Sequence, residues 1–74
     1  MAEQVRLEIA FDGGQIMGAL VSAADADALE RALATGEDGS IALEASDGRY
    51  TVSLGRVVYV KRFTREGRVG FSSA

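Results

Sequence analysis

Alternation with a period of two opens the chain. Val5, Leu7, Ile9 and Phe11 are separated by Arg6, Glu8 and Ala10, the pattern of a strand with one buried face. Asp12-Gly13-Gly14 follows, and such residues supply the positive φ that a hairpin turn demands. Residues 15–21 form the return strand. Its register depends on loop length. A two-residue loop puts Ile16, Gly18 and Leu20 on the face of Ile9 and Phe11, whereas a three-residue loop with a bulge puts Met17, Ala19 and Val21 there. Either way both faces of this strand are largely apolar.

The period then changes. Ser22 is placed to cap a helix, with Asp25 three residues on and Asp27 close behind, where negative charge suits the helix dipole. Ala26, Leu29, Leu33 and Ala32 recur at spacings of three and four, a buried stripe, while Glu30 and Arg31 face water. Gly36 stands where a helix ends.

Alternation returns with Ile41, Leu43 and Ala45. Asp47-Gly48 is a two-residue hairpin signal. It pairs Ala45 with Tyr50, Leu43 with Val52 and Ile41 with Leu54. Gly55 interrupts the pattern, and Arg56 to Phe63 reads as a long β-branched strand. Thr64-Arg65-Glu66-Gly67 reads as a turn and Val69 to Phe71 as a short last strand. The order ββαβββ predicts an α+β fold: one mainly antiparallel sheet of about five strands, with one helix covering a face. A β-grasp-like arrangement, its first strand parallel to a later one, fits this order.

With 74 residues the chain is one domain, 1–74. Folding of so short a chain removes only about 60% of its unfolded surface from water, so its stability is thin and association is a common remedy. Cysteine and histidine are both absent. That removes disulfides, thiolate metal sites, the usual proton shuttle and the commonest metal ligand. The acid pairs Asp25/Asp27 and Glu37/Asp38 fall at a helix start and in a turn, where structural roles suffice. No catalytic residues, no metal and no cofactor are expected. No apolar run approaches the roughly 20 residues that span a bilayer, so no membrane partner is expected. Met1-Ala2-Glu3-Gln4 is acidic rather than the basic start of a signal peptide, and the expected location is cytoplasmic.

Charge is segregated along the chain. Residues 1–55 carry ten acids against three bases, and residues 56–74 carry five bases against Glu66. Lys61, Arg62, Arg65 and Arg68 lie among Phe63, Tyr59 and Phe71, a mixture suited to single-stranded nucleic acid: cations for phosphates, rings for stacking. A different reading comes from the long strand. Val58 and Val60 lie on one side, Val57 and Tyr59 on the other. A strand apolar on both sides belongs inside a sheet covered on both faces, and one helix covers only one. The uncovered face, drawn from Ile16 or Met17 with either Val58 and Val60 or Val57 and Tyr59 according to the loop length at Asp12-Gly13-Gly14, is then a candidate interface with a second copy or another protein. The leading expectation is a non-enzymatic interaction module, with nucleic-acid binding as the alternative.

Ala28-Leu29 with Ala32-Leu33, Asp47-Gly48-Arg49-Tyr50, Val57-Val58-Tyr59-Val60 and the closing Arg68-Val69-Gly70-Phe71 together resemble a family of small uncharacterised actinobacterial proteins, a domain of unknown function. Its members similarly read as hairpin, helix, hairpin, Val-Tyr-Val strand and terminal Val-Gly-Phe. The chain departs from it at Lys61-Arg62-Phe63, where members carry an acidic residue and glycine. The resemblance implies a cytoplasmic actinobacterial source. It brings no activity, cofactor or site residues.

Overall fold

The computed structural model describes residues 3–63. The turn expected at Thr64 to Gly67 and the strand expected at Val69 to Phe71 lie outside them. The elements run β1 (Gln4–Phe11), β2 (Ile16–Ser22), α1 (Ala23–Ala34), β3 (Ser40–Ala45), β4 (Gly48–Ser53), a 3₁₀ turn (Leu54–Arg56) and β5 (Val57–Arg62). They build one five-stranded sheet in the order β4-β3-β2-β1-β5, and every pairing is antiparallel. The fold is α+β with the expected element order. Among the described residues no strand pairs in parallel with β1 as a β-grasp requires: β2 and β5, its two neighbours, are both antiparallel to it.

The first hairpin takes the three-residue loop. Phe11 N–H donates to the Gln15 carbonyl at 2.8 Å and Gly14 N–H to the Phe11 carbonyl at 2.9 Å, with Gly14 at φ +89°. This is a tight turn followed by a left-handed residue that opens a bulge, and glycine adopts that conformation without steric cost. Ile9 therefore faces Met17 and Leu7 faces Ala19. The second hairpin differs from expectation by two residues. Ala45 pairs with Gly48, Leu43 with Tyr50 and Ile41 with Val52. Type I′, the turn that Asp47-Gly48 signals, needs positive φ at both central residues. Asp47 has none, nor has Ser46, and the positive φ here belongs to Gly48 (+143°), just after the turn. The turn is centred on Ser46-Asp47 instead. A shift of two leaves each side chain on its intended face.

The helix is capped at both ends. Asp25 N–H donates to Ser22 Oγ at 3.1 Å. At the other end Gly36 (φ +75°) N–H reaches the Leu33 carbonyl and Glu37 N–H reaches that of Ala32, a Schellman closure. Ala26, Leu29 and Ala32 are buried, with Leu33 packed at the margin.

β4 and β5 lie at opposite edges of the sheet, yet only the 3₁₀ turn joins them. Neighbouring strands lie about 4.8 Å apart, so the edges of a flat five-stranded sheet are roughly 19 Å apart. Four residue steps reach at most about 14 Å. The sheet must roll. Its weak point is the β2–β3 pairing, where only Val21 and Ala45 stand opposite each other. The β3–β4 hairpin swings across there. The 3₁₀ turn ties the roll shut: Leu54 N–H donates to the Gly39 carbonyl and Asp12 N–H to that of Arg56, both at 2.9 Å. The concave side then holds the core, with Leu7, Ile9, Val21, Leu29 and Leu43 fully buried and Val52 and Leu54 nearly so. Each such side chain contributes roughly 1.5–3 kcal/mol. Cover on that side comes from α1 and from the rolled half of the sheet together. No helix of the described residues is long and apolar enough to cross a membrane.

The long last strand departs from expectation. Among the described residues it is an edge strand, with β1 as its only strand neighbour. It is apolar on both sides for a local reason. The register jumps from Ala10 opposite Tyr59 to Phe11 opposite Val57, so Val58 is the extra residue of a bulge and strict alternation fails there. Val57 and Val60 both pack against the core as a result.

Candidate interaction face

The convex side of β2, β1 and β5 forms the other face. With the first hairpin in its three-residue register, the even residues of β1 share this face with the even residues of β2. Pairing then lays out rows across three strands. Ile16, Ala10 and Tyr59 form one row, and Gly18, Glu8 and Lys61 the next. Leu20 stands opposite Arg6, and Phe63 N–H donates to the Arg6 carbonyl at 3.0 Å, which completes a third row.

The first row is apolar and open. Ile16 is 60% exposed and Tyr59 43%, with Val58 at the adjoining bulge 64% exposed. Ala10, between Ile16 and Tyr59, is only 6% exposed. Each large side chain stands beside a small one, so the row is low in the middle and raised at its ends.

The second and third rows carry charge of both signs. Tyr59 O–H donates to Glu8 Oε2 at 2.7 Å. That hydrogen bond, then desolvation and the carboxylate's charge, push the phenol pKa up from its ordinary value. Lys61 Nζ lies 4.7 Å from the centroid of the Phe63 ring and Arg6 Cζ lies 5.5 Å from it, within the range of cation–π attraction. Beside Arg6 the absence of a side chain at Gly18 helps open a shallow depression of about 410 Å³ that reaches Leu20, Ser46 and Asp47.

The candidate residues separate cleanly. Ile16, Val58 and Tyr59 are exposed at the surface, whereas Met17, Val57 and Val60 pack against the core. The basic cluster divides as well. Lys61 turns to the convex face, but Arg62 turns towards α1, where its Nη1 meets Asp27 Oδ1 at 2.8 Å and Glu30 Oε1 at 3.4 Å. Hydrogen bonding to Asp27 raises the Arg62 pKa further. Phe63 is half-buried beneath two cations, and Arg65 and Arg68 lie outside the described residues. The acid pairs have structural partners: Asp25 Oδ2 accepts from the Glu44 backbone at 2.7 Å, and Glu37 accepts from the Thr35 hydroxyl at 3.4 Å.

Arg6, Glu8, Ala10 and Leu20 belong to this face but were not singled out from the sequence. The available signal was the parity of the first strand, which places Arg6, Glu8 and Ala10 opposite the buried Leu7 and Ile9. It becomes informative only once the hairpin loop is known to have three residues. The chain matches no family model, no curated protein and no solved structure.

Proposed function

We propose that this protein is a small non-enzymatic interaction module that self-associates through β5 and the convex face beside it. The observation that carries this reading is the exposure of Val58 and Tyr59 on an edge strand, with Ile16 continuing the apolar row. Large apolar side chains gathered in one patch of a small domain mark an interface. A second copy is the partner that fits. The patch is bordered by Glu8 and Lys61, one charge of each sign, so two copies meet without a single-sign field opposing them. A domain this small also gains from burying surface against itself, and a two-fold pair is the commonest closed arrangement.

The test is sedimentation equilibrium or light scattering of the full chain from low to high micromolar concentration. The wild type is expected to pass from monomer to dimer. Val58→Lys, at an exposed bulge, is expected to stay monomeric with an unchanged circular dichroism spectrum. Val57→Glu, packed against the core, is expected to lose the fold. A wild type that remains a compact monomer at high micromolar concentration overturns the reading.

A further inference from the structure

The hydrogen-bond phase of β5 says which of its backbone groups face outward. Phe63 N–H bonds the Arg6 carbonyl, so Arg6 and Phe63 are a hydrogen-bonded pair, and alternation makes Glu8–Lys61 and Ala10–Tyr59 hydrogen-bonded pairs too. The first hairpin agrees, because Phe11 bonds Gln15 and so assigns the odd residues of β1 to β2. The N–H and C=O groups of Tyr59 and Lys61 therefore point at β1. Those of Val60 and Arg62 point away from it, along an edge that no strand among the described residues covers. Such an edge is a template for pairing with another strand.

Side-chain charge restricts how a second β5 pairs there. A two-fold axis at Lys61 sets two ammonium groups opposite each other, and one at Arg62 does the same with two guanidinium groups. Like charges directly opposite destabilise a sheet pair. An axis at Tyr59 avoids this but runs the partner strand into the 3₁₀ turn Leu54–Arg56, where no extended strand is available. An axis at Val60 avoids both problems. It overlaps residues 57–63 of each copy, lets Val60 exchange two backbone hydrogen bonds with its symmetry mate, and places Tyr59 directly opposite the partner's Lys61. Both side chains lie on the convex face, in a non-hydrogen-bonded pair whose Cα atoms approach to about 4.5 Å. Lysine over tyrosine is attractive, and the two-fold supplies that contact twice.

We propose that the dimer forms by antiparallel pairing of β5 with β5 of a second copy, centred on Val60. The result is one ten-stranded sheet, with Tyr59 against Lys61 across the junction and the two Ile16 side chains at the margins of a shared convex face. This register rests on the self-association proposed above and goes beyond it by naming the strand, the axis and the cross-strand pair.

The experiment compares dimer dissociation constants of full-length wild type, Tyr59→Lys, and Tyr59→Lys with Lys61→Glu, while circular dichroism verifies folding. It also follows amide hydrogen exchange at Val60 as a function of protein concentration. Tyr59→Lys sets lysine against lysine at two symmetric places and is expected to weaken the dimer about tenfold. The double variant restores an opposite-charge pair across the junction, while Lys61→Glu also faces Glu8 within each chain. It is expected to bind more tightly than Tyr59→Lys and regain most of the loss, which a loss of fold would not do. Exchange at Val60 is expected to slow as concentration rises. If the wild type dimerises but the double variant does not recover and Val60 exchange ignores concentration, the β5 register is wrong while self-association stands. If Val60 is protected even in dilute monomer, the chain's own residues cover the edge and the register fails. A wild type monomeric throughout sinks both proposals.

Discussion

Ile16 and Met17 are adjacent in sequence and opposite in environment, so one substitution made at each position tests the register of the whole first hairpin. Met17 stands across from Ile9 and packs against the core, while Ile16 is 60% exposed. Met17→Asp loses most of a methionine's burial, roughly 1.5–2 kcal/mol. It also places a carboxylate beside the buried Ile9, adding about 1–3 kcal/mol. The sum, about 2.5–5 kcal/mol, is comparable with the whole stability of a chain this size, about 4–11 kcal/mol at 0.05–0.15 kcal/mol per residue. Ile16→Asp loses little burial and mainly strand preference, at most about 1 kcal/mol. Urea unfolding of both variants at low micromolar concentration, where association contributes least, measures the difference as a shift in midpoint at constant slope. Equal losses at the two positions, or a larger loss at Ile16, would refute the three-residue loop and with it the assignment of the convex face.

Three further outcomes follow from described contacts. Ser22→Ala removes the side-chain acceptor for Asp25 N–H and should cost about 1 kcal/mol, read from the thermal midpoint. Gly36→Ala forces a Cβ into φ +75° with open space around it, so the loss should be backbone strain alone, about 1 kcal/mol; an unchanged midpoint would argue against the Schellman closure. Tyr50 donates to Asp47 and Tyr59 to Glu8, and in each case that hydrogen bond is the first cause of a raised phenol pKa. The folded state thus holds these protons more tightly than the unfolded one. The stability involved is present below the unfolded value near 10 and is lost as pH rises through the higher folded value. Ultraviolet titration of phenolate should find both groups ionising later than free tyrosine, and Glu8→Gln should bring Tyr59 back down.

Element order and fold class were legible because each strand and the helix carry their own local pattern. The helix was clearest: Ser22, the 26-29-32-33 stripe and Gly36 all act within one element, and all act as expected. What failed to show depends on events between elements. The first hairpin had two self-consistent registers, separated by the hydrogen bonds of the turn, Phe11 to Gln15 and Gly14 to Phe11, with Gly14 but not Gly13 at positive φ. The second was misplaced by two residues because Gly48 supplies its positive φ at the end of the turn rather than at its centre. β5 read as central because Val57 to Val60 are all apolar, and a bulge at Val58 does not show in a pattern that never alternates cleanly. Arg62 read as one of a group of free cations, because its carboxylates sit on α1, 32 and 35 residues earlier. The rolling of the sheet was invisible for the same reason: it follows from the connection between β4 and β5 being shorter than the distance it has to span.

The pairing of the last described strand with the first has a consequence for how the chain is made. Synthesis proceeds from the N-terminus, and domains fold as units as they emerge. Glu8 is translated early and its partner Lys61 fifty-three residues later. Until then β1 has a bare edge on the side where β5 will lie, and the core lacks Leu54, Val57 and Val60. The hairpins and the helix can form locally in the meantime, but the roll cannot close, because the 3₁₀ turn that ties it to Gly39 and Asp12 belongs to the same late stretch. Completion of the domain is thus tied to translation of residues 54–62. A ribosome stalled shortly before them leaves one edge of β1 unpaired, the kind of surface that chaperones bind and that neighbouring nascent chains can pair with.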